Sequence, residues 1–333
     1  MSTEIETNIY GARMLTGFTE RRTGGFGGAG VQGAISIEQA NSLIGWLPYE
    51  SERVDVTIIT DEGVVTIPDP DAKHLVHPVT HEILGRHLSG YKVHGYADTL
   101  LRDAQAITSG SELGIAKVTM LGGGRRAAVQ YEFNENVTTK RGIQFRPFLS
   151  AATSLDGSIA TSFFTGSQVI ICDNTLQLAL RKATAAGDIY KVKHTRNSEV
   201  NVADARRVLD IVFNTSDAFA EEFDKLASQF VSDQQWIEIL DELAPLAKDT
   251  ASARTRGNAE RKRVELSRLW NFDDRVAPWK NSAYGVVAAT NTWANHVQVV
   301  KGADRAERNV ARLIDGSFAK SDVTTLRVLE RVL

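Results

Sequence analysis

The chain has 333 residues, of which 42% are hydrophobic and 24% charged, with a formal net charge of -3 at pH 7. These values belong to an ordinary folded protein and exclude collagen-like, disulfide-scaffolded and wholly disordered classes. One cysteine rules out an internal disulfide, no apolar run approaches the roughly 20 residues of a membrane helix, and the polar start MSTEIETNIYG is unlike a secretory signal, so a cytoplasmic protein with no membrane partner is expected.

In chain order, residues 1–34 read as an irregular arm containing the glycine-rich run TGGFGGAG. GFGGAG has the glycine spacing of a dinucleotide loop, but no strand feeds it, and no Walker-type lysine follows any glycine loop. Ser36 and Gln39 form a capping-box signature ahead of a short helix. RVDVTII (53–59) and VVTIP (64–68) alternate as a hairpin around Asp61-Glu62-Gly63. DPDAKHLVHPVTHE reads as a proline-punctuated loop, followed by an extended ILGRHLSGY and a helix over YADTLLRDAQAI.

Four period-two segments come next: IAKVTML (115–121), AAVQYEF (127–133), GIQFRPF (142–148) and SIATSFF (158–164). Val129, Tyr131 and Phe133 would face one way, while Lys117, Gln130, Glu132, Gln144 and Arg146 face the other, giving an antiparallel sheet with one covered and one wet face. QVIIC is expected to be a buried final strand, and Asn174 with Gln177 to cap a helix. Cys172, the lone cysteine, sits before that helix start, but its apolar neighbours and Asp173 favour a buried structural thiol over a reactive one. From residue 202 onward the spacing is helical. The predicted class is therefore α+β, an antiparallel sheet backed by a helix and followed by a C-terminal helical layer or bundle. Three regions are expected: 1–82 (arm, short helix and hairpin), 83–201 (sheet plus helix) and 202–333 (helical).

No catalytic constellation emerges, and no enzyme activity or cofactor is expected. Five of the seven histidines fall between His74 and His94, but the fourth residue after His81 is Gly85, so the helical zinc-protease spacing is absent and no metal site is expected. Charge is uneven. Residues 1–114 hold 8 basic against 15 acidic residues, 115–207 hold 13 against 7, and the rest 17 against 19. In the basic third, Arg125 and Arg126 lie in one hairpin loop, Lys140, Arg141 and Arg146 in and beside another, and Lys191, Lys193 and Arg196 in YKVKHTRN. Guanidinium forks on projecting loops suit phosphate contacts, so these eight are the expected nucleic-acid ligands, arranged on one continuous electropositive surface. A competing expectation is a host-protein contact through residues 210–249, which carry ten Asp or Glu against two Lys.

GAISIEQANSLIGW, ILGRHLSGYKVHGY, VIICDNTLQLAL, KHT and SAYGVVAATNTWANH together resemble an uncharacterised phage/plasmid-like family of mobile genetic elements, defined only as a domain of unknown function. The resemblance spans nearly the whole chain, with Cys172 to Leu176 its most specific element. It implies a phage or plasmid setting and transfers no catalytic residue. The expected outline is also similar to single-strand-annealing recombinases, which implies an oligomer acting on single-stranded DNA in recombination or replication; that likeness is of fold outline alone.

Overall fold

The computed structural model describes residues 14–21, 29–169, 174–176, 189–300 and 305–333. Cys172 and most of the expected helix after it lie outside the described residues. The N-terminal part contains β1 (Met14–Thr16), β2 (Ala29–Gly30), α1 (Ile37–Ile44), β3 (Tyr49–Glu50), β4 (Asp55–Thr60), β5 (Gly63–Pro68), β6 (Ala72–Val76) and β7 (Ile83–Leu88). A π-helical stretch, Ala97–Asp103, runs into α2 (Ala104–Thr108). The central strands are β8 (Leu113–Leu121), β9 (Arg126–Phe133), β10 (Val137–Thr138), β11 (Gln144–Ser154), β12 (Thr161–Val169), β13 (Asn174–Leu176) and β14 (Ile189–Val192). Helices α3 (Val202–Ser228), α4 (Asp233–Leu243), α5 (Ala253–Phe272), α6 (Ala283–Thr292), α7 (Arg305–Ile314) and α8 (Ser317–Val332) complete the chain. The class is α+β, as expected.

The large sheet has the order β13-β12-β11-β9-β8-β1-β2, with β14 also on β12 and β10 on β11. All of its pairs are antiparallel except β1 with β2. Two local readings are corrected. Residues 72–76 form β6, paired with β7, because the prolines flank the strand and leave its backbone donors free to join the ladder. Asn174–Leu176 forms β13 on the edge of β12, so tertiary pairing overrides the capping signal there. The capping box at Ser36 and Gln39 is present, each side chain bonded to the other's backbone N–H.

The sheet face expected to be wet is also covered. Alternation assigns the two faces as expected, because Tyr131 pairs with Leu149 while Glu132 pairs with Phe148. Both faces are covered, however. Leu43, Ile44, Tyr96, Leu100 and Ile107 pack on Val118, Val129, Tyr131 and Leu149 from one side. From the other, Val310, Leu313 and Phe318 of α7 and α8 close over Leu121, Ala128, Phe148 and Phe164. A further cluster joins Phe145 to Phe223, Trp236, Trp270 and Tyr284, with the two indoles stacked at 4.5 Å. Every residue of α6 is buried at its centre, which suits a helix with little polar surface.

Arg146, expected to contact phosphate, therefore lies inside. It is 3% exposed, and its guanidinium donates to buried Glu132 at 3.2 Å and to Asn136 at 2.9 Å. Gln130 donates to the other oxygen of Glu132. Each charge satisfies the other in a region closed to water, so Arg146 is a structural cation. Arg146→Ala removes a buried guanidinium paired with Glu132 and is expected to lower unfolding stability by about 3–5 kcal/mol in urea titration.

Beyond β12, His94 bonds Thr161 and Ser198 and lies in a ring stack with His194, Tyr91 and His87. Burial, then the neighbouring His194 and Lys92 charges, push its pKa down from 6.5 to about 4. The unfolded chain then holds this proton more tightly than the native state. Stability is expected to fall as pH drops from 6.5 toward 4, and His94→Gln to flatten that part of the Tm-against-pH curve.

Candidate nucleic-acid interface

Successive turns of an antiparallel meander lie at opposite ends of the sheet. The β8–β9 and β11–β12 connections share one end, and the β9–β11 connection occupies the other. The 11 residues of β11 place the two ends roughly 33 Å apart. The cationic hairpins expected to converge are separated by the topology itself.

At the first end, Gly122, Gly123 and Gly124 all have positive φ, the left-handed backbone that glycine adopts without steric cost. This folds the loop back on the body. Arg125 donates to the Gly122 and Ile83 carbonyls, Arg126 is half-buried 4.0 Å from Asp156, and the N–H of Gly122 donates to Glu307. Arg125 is thus engaged by carbonyls, while the buried Nε of Arg126 has the long ion pair with Asp156 and no hydrogen bond. Lys191, Lys193 and Arg196 are exposed on and beyond β14, which leads to this same end through its antiparallel pairing with β12.

At the second end, the β10–β11 turn carries Lys140 and Arg141 with both side chains exposed. Asp224 of α3 holds the turn, its two oxygens accepting from the backbone N–H groups of Lys140 and Arg141 at 3.0 Å each. Burial raises the Asp224 pKa, but the Thr139 hydroxyl, those two N–H groups and the Arg141 charge outweigh it and hold the carboxyl below its ordinary value. The turn is anchored through its backbone, and the two cationic side chains extend outward.

Arg141 then forms one wall of an open groove of about 490 Å³, with Ser228, Phe230, Trp279, Lys280 and Asn281 among its other lining residues. No carboxylate lines it. Phe230 is 67% exposed, and Trp279 is half-buried, edge-on to Tyr284 at 5.3 Å. The segments bearing these rings are joined by an antiparallel bridge between Phe230 and Ser282, and Val231 N–H donates to the Asn281 carbonyl. Gly285 lets α6 approach this loop, since a Cβ there would stand 2.2 Å from the Trp279 carbonyl. The result is a concave site with two cations, an exposed phenyl ring and a half-buried indole, residue types that also serve to bind a nucleic-acid strand with unstacked bases.

Phe230, Trp279 and Lys280 are absent from the sequence-derived set. The stretch APWKNS carries a signal for two of them, an aromatic beside a lysine in a turn just ahead of a helix cap. Phe230 carries none, because strand-like and loop aromatics read alike as core. The acidic segment expected to meet a host protein is partly used internally: Asp224 anchors the turn, Asp241 pairs with Arg263 at 2.6 Å, and Glu242 pairs with Arg331. Among the described residues, no three His, Cys, Asp or Glu side chains stand together to hold a metal ion. No helix among them is long and apolar enough to cross a membrane.

The anchoring role of Asp224 has a direct readout. Asp224→Ala is expected to raise amide exchange at Lys140 and Arg141 by about tenfold, by releasing the turn without global unfolding. A lowered pKa means that the native anchor is complete above pH 3.8 and weakens as pH falls through the folded value, so wild-type exchange at these amides should rise in acid relative to the intrinsic rate.

No curated protein and no solved structure matches the chain. A family model described as a domain of unknown function, DUF932, matches residues 84–315, from β7 to just beyond α7. This region contains the whole central meander, the anchored turn and the aromatic groove, and the chain belongs to the DUF932 family.

Proposed function

We propose that this protein is a non-enzymatic binder of single-stranded DNA, acting as a homo-oligomer in the cytoplasm of a host cell that carries a phage or plasmid. The observation that carries this reading is the meeting of Arg141 and Lys280 with the exposed ring of Phe230 and the half-buried ring of Trp279 in one groove lined by no carboxylate. Cations there neutralise phosphates and the rings stack on bases, which a duplex keeps stacked within itself. Lys140 extends the cationic rim. Arg125, Arg126, Lys191, Lys193 and Arg196 lie toward the far end of the sheet and Arg146 is buried, so the proposed site keeps only Lys140 and Arg141 of the eight expected ligands.

Fluorescence anisotropy with a short labelled oligodeoxynucleotide tests the reading. Arg141→Gln and Lys280→Gln should each weaken binding and reduce the slope of log K against log salt by about 0.7, because each removes one phosphate contact to a single strand. Phe230→Ala should cost about 1–3 kcal/mol, with the salt slope unchanged, as expected for a lost base stack. Arg125→Gln and Lys193→Gln should bind like wild type. Absence of any complex at low salt, or full affinity in the Phe230→Ala protein, would remove the proposal.

A further inference from the structure

The largest run of exposed apolar side chains on the described surface is the β4–β5 hairpin, which forms its own two-stranded sheet. Val56 pairs with Ile67 and Ile58 with Val65. These four project from one face and are 42–49% exposed. Ile59 and Val64 stand exposed on the opposite face at the tip. An isolated two-stranded hairpin is marginal in water, and six uncovered Val and Ile side chains call for a covering surface.

Charge decides what covers them. Residues 50–71 carry seven acidic residues, including Asp61 and Glu62 at the turn and Asp55 and Asp69 at the base, against the single cation Arg53. Two such hairpins brought face to face would set carboxylates against carboxylates. A cationic face with apolar interruptions is what this surface requires, and α5 has one. Its 20 residues include six Lys or Arg against two Glu. Arg254, Gly257, Arg261, Val264, Arg268 and Phe272 recur at helical spacing along one stripe, with Val264 59% and Phe272 78% exposed. That stripe runs about 27 Å, and each hairpin strand about 20 Å, so one spans the other.

We propose that the β4–β5 hairpin of one molecule docks on the α5 stripe of a second copy of this chain. Val56, Ile58, Val65 and Ile67 would pack on Val264 and Phe272, with Asp61 and Glu62 of the turn meeting Arg254 and Arg261, while Asp55 and Arg268 keep their own partners Arg53 and Glu265 beside the contact. Because the two surfaces differ, the contact either closes reciprocally as a two-fold dimer or runs head-to-tail into a ring or a filament. This deepens the self-association proposed above and does not depend on nucleic-acid binding.

Sedimentation velocity on nuclease-treated full-length protein, across a range of concentrations at low and moderate salt, tests it. Wild type should form species larger than a monomer. Ile58→Glu with Ile67→Glu, both at exposed positions, should raise the dissociation constant by about tenfold or more, as should Arg254→Glu with Arg261→Glu. Adding Asp61→Lys and Glu62→Lys to the α5 variant should restore association to within about threefold of wild type, since the swapped charges again oppose one another. A monomer at every concentration would overturn both this inference and the self-association reading. Oligomers unaffected by the hairpin substitutions, or sensitive to them but not to the α5 substitutions, would overturn the docking inference alone. DNA binding by the groove would stand in each case.

Discussion

Long antiparallel strands joined by tight connections deliver alternate turns to opposite ends of a sheet, and the functional layout of this protein depends on that geometry. With β8, β9, β11 and β12 in one meander, the LGGGRR turn and the Lys140–Arg141 turn cannot meet. One is folded down by three left-handed glycines and engaged by carbonyls and carboxylates. The other is gripped by its backbone and leaves its side chains outside. The same sheet is covered on both faces, so the polar side chains of its second face become an internal network around Glu132 and Arg146.

Much of the architecture was legible in the residues. Period-two alternation located the central strands and assigned Val129 and Tyr131 to the face opposite Gln130 and Glu132, as the register bears out. The capping box at Ser36 and the β4–β5 hairpin followed from local chemistry that tertiary structure leaves undisturbed. What alternation does not report is what lies above each face. A strand bearing Arg146 and Gln130 reads as half-solvated unless the helices far along the chain are known to close over it. The alternation of turn ends was implicit in the strand count, and applying it separates the two basic loops without coordinates.

The groove was less legible, because its members come from four places: the β10–β11 turn, the end of α3, the residue two positions beyond it, and the loop before α6. No spacing rule links Phe230 to Trp279. Their meeting depends on the bridge between Phe230 and Ser282 and on a glycine at 285 that lets α6 pack against the carbonyl of Trp279. Composition pointed to the basic middle third, yet within it cation density proved a poorer guide than the company each cation keeps. Arg126 and Arg146 turn their guanidinium groups to carboxylates, whereas Asp224 takes Arg141 by its backbone N–H and leaves its side chain exposed in a groove with Lys280, Phe230 and Trp279.

The central claim is that a single strand lies in this groove with its bases against Phe230 and Trp279. Photocrosslinking of a bromodeoxyuridine-substituted oligonucleotide, followed by peptide mapping, tests it most directly. Adducts confined to the peptides bearing Phe230 and Trp279 are predicted. A complex whose adducts fall instead on the Arg125–Arg126 loop or on residues 190–196 would contradict it.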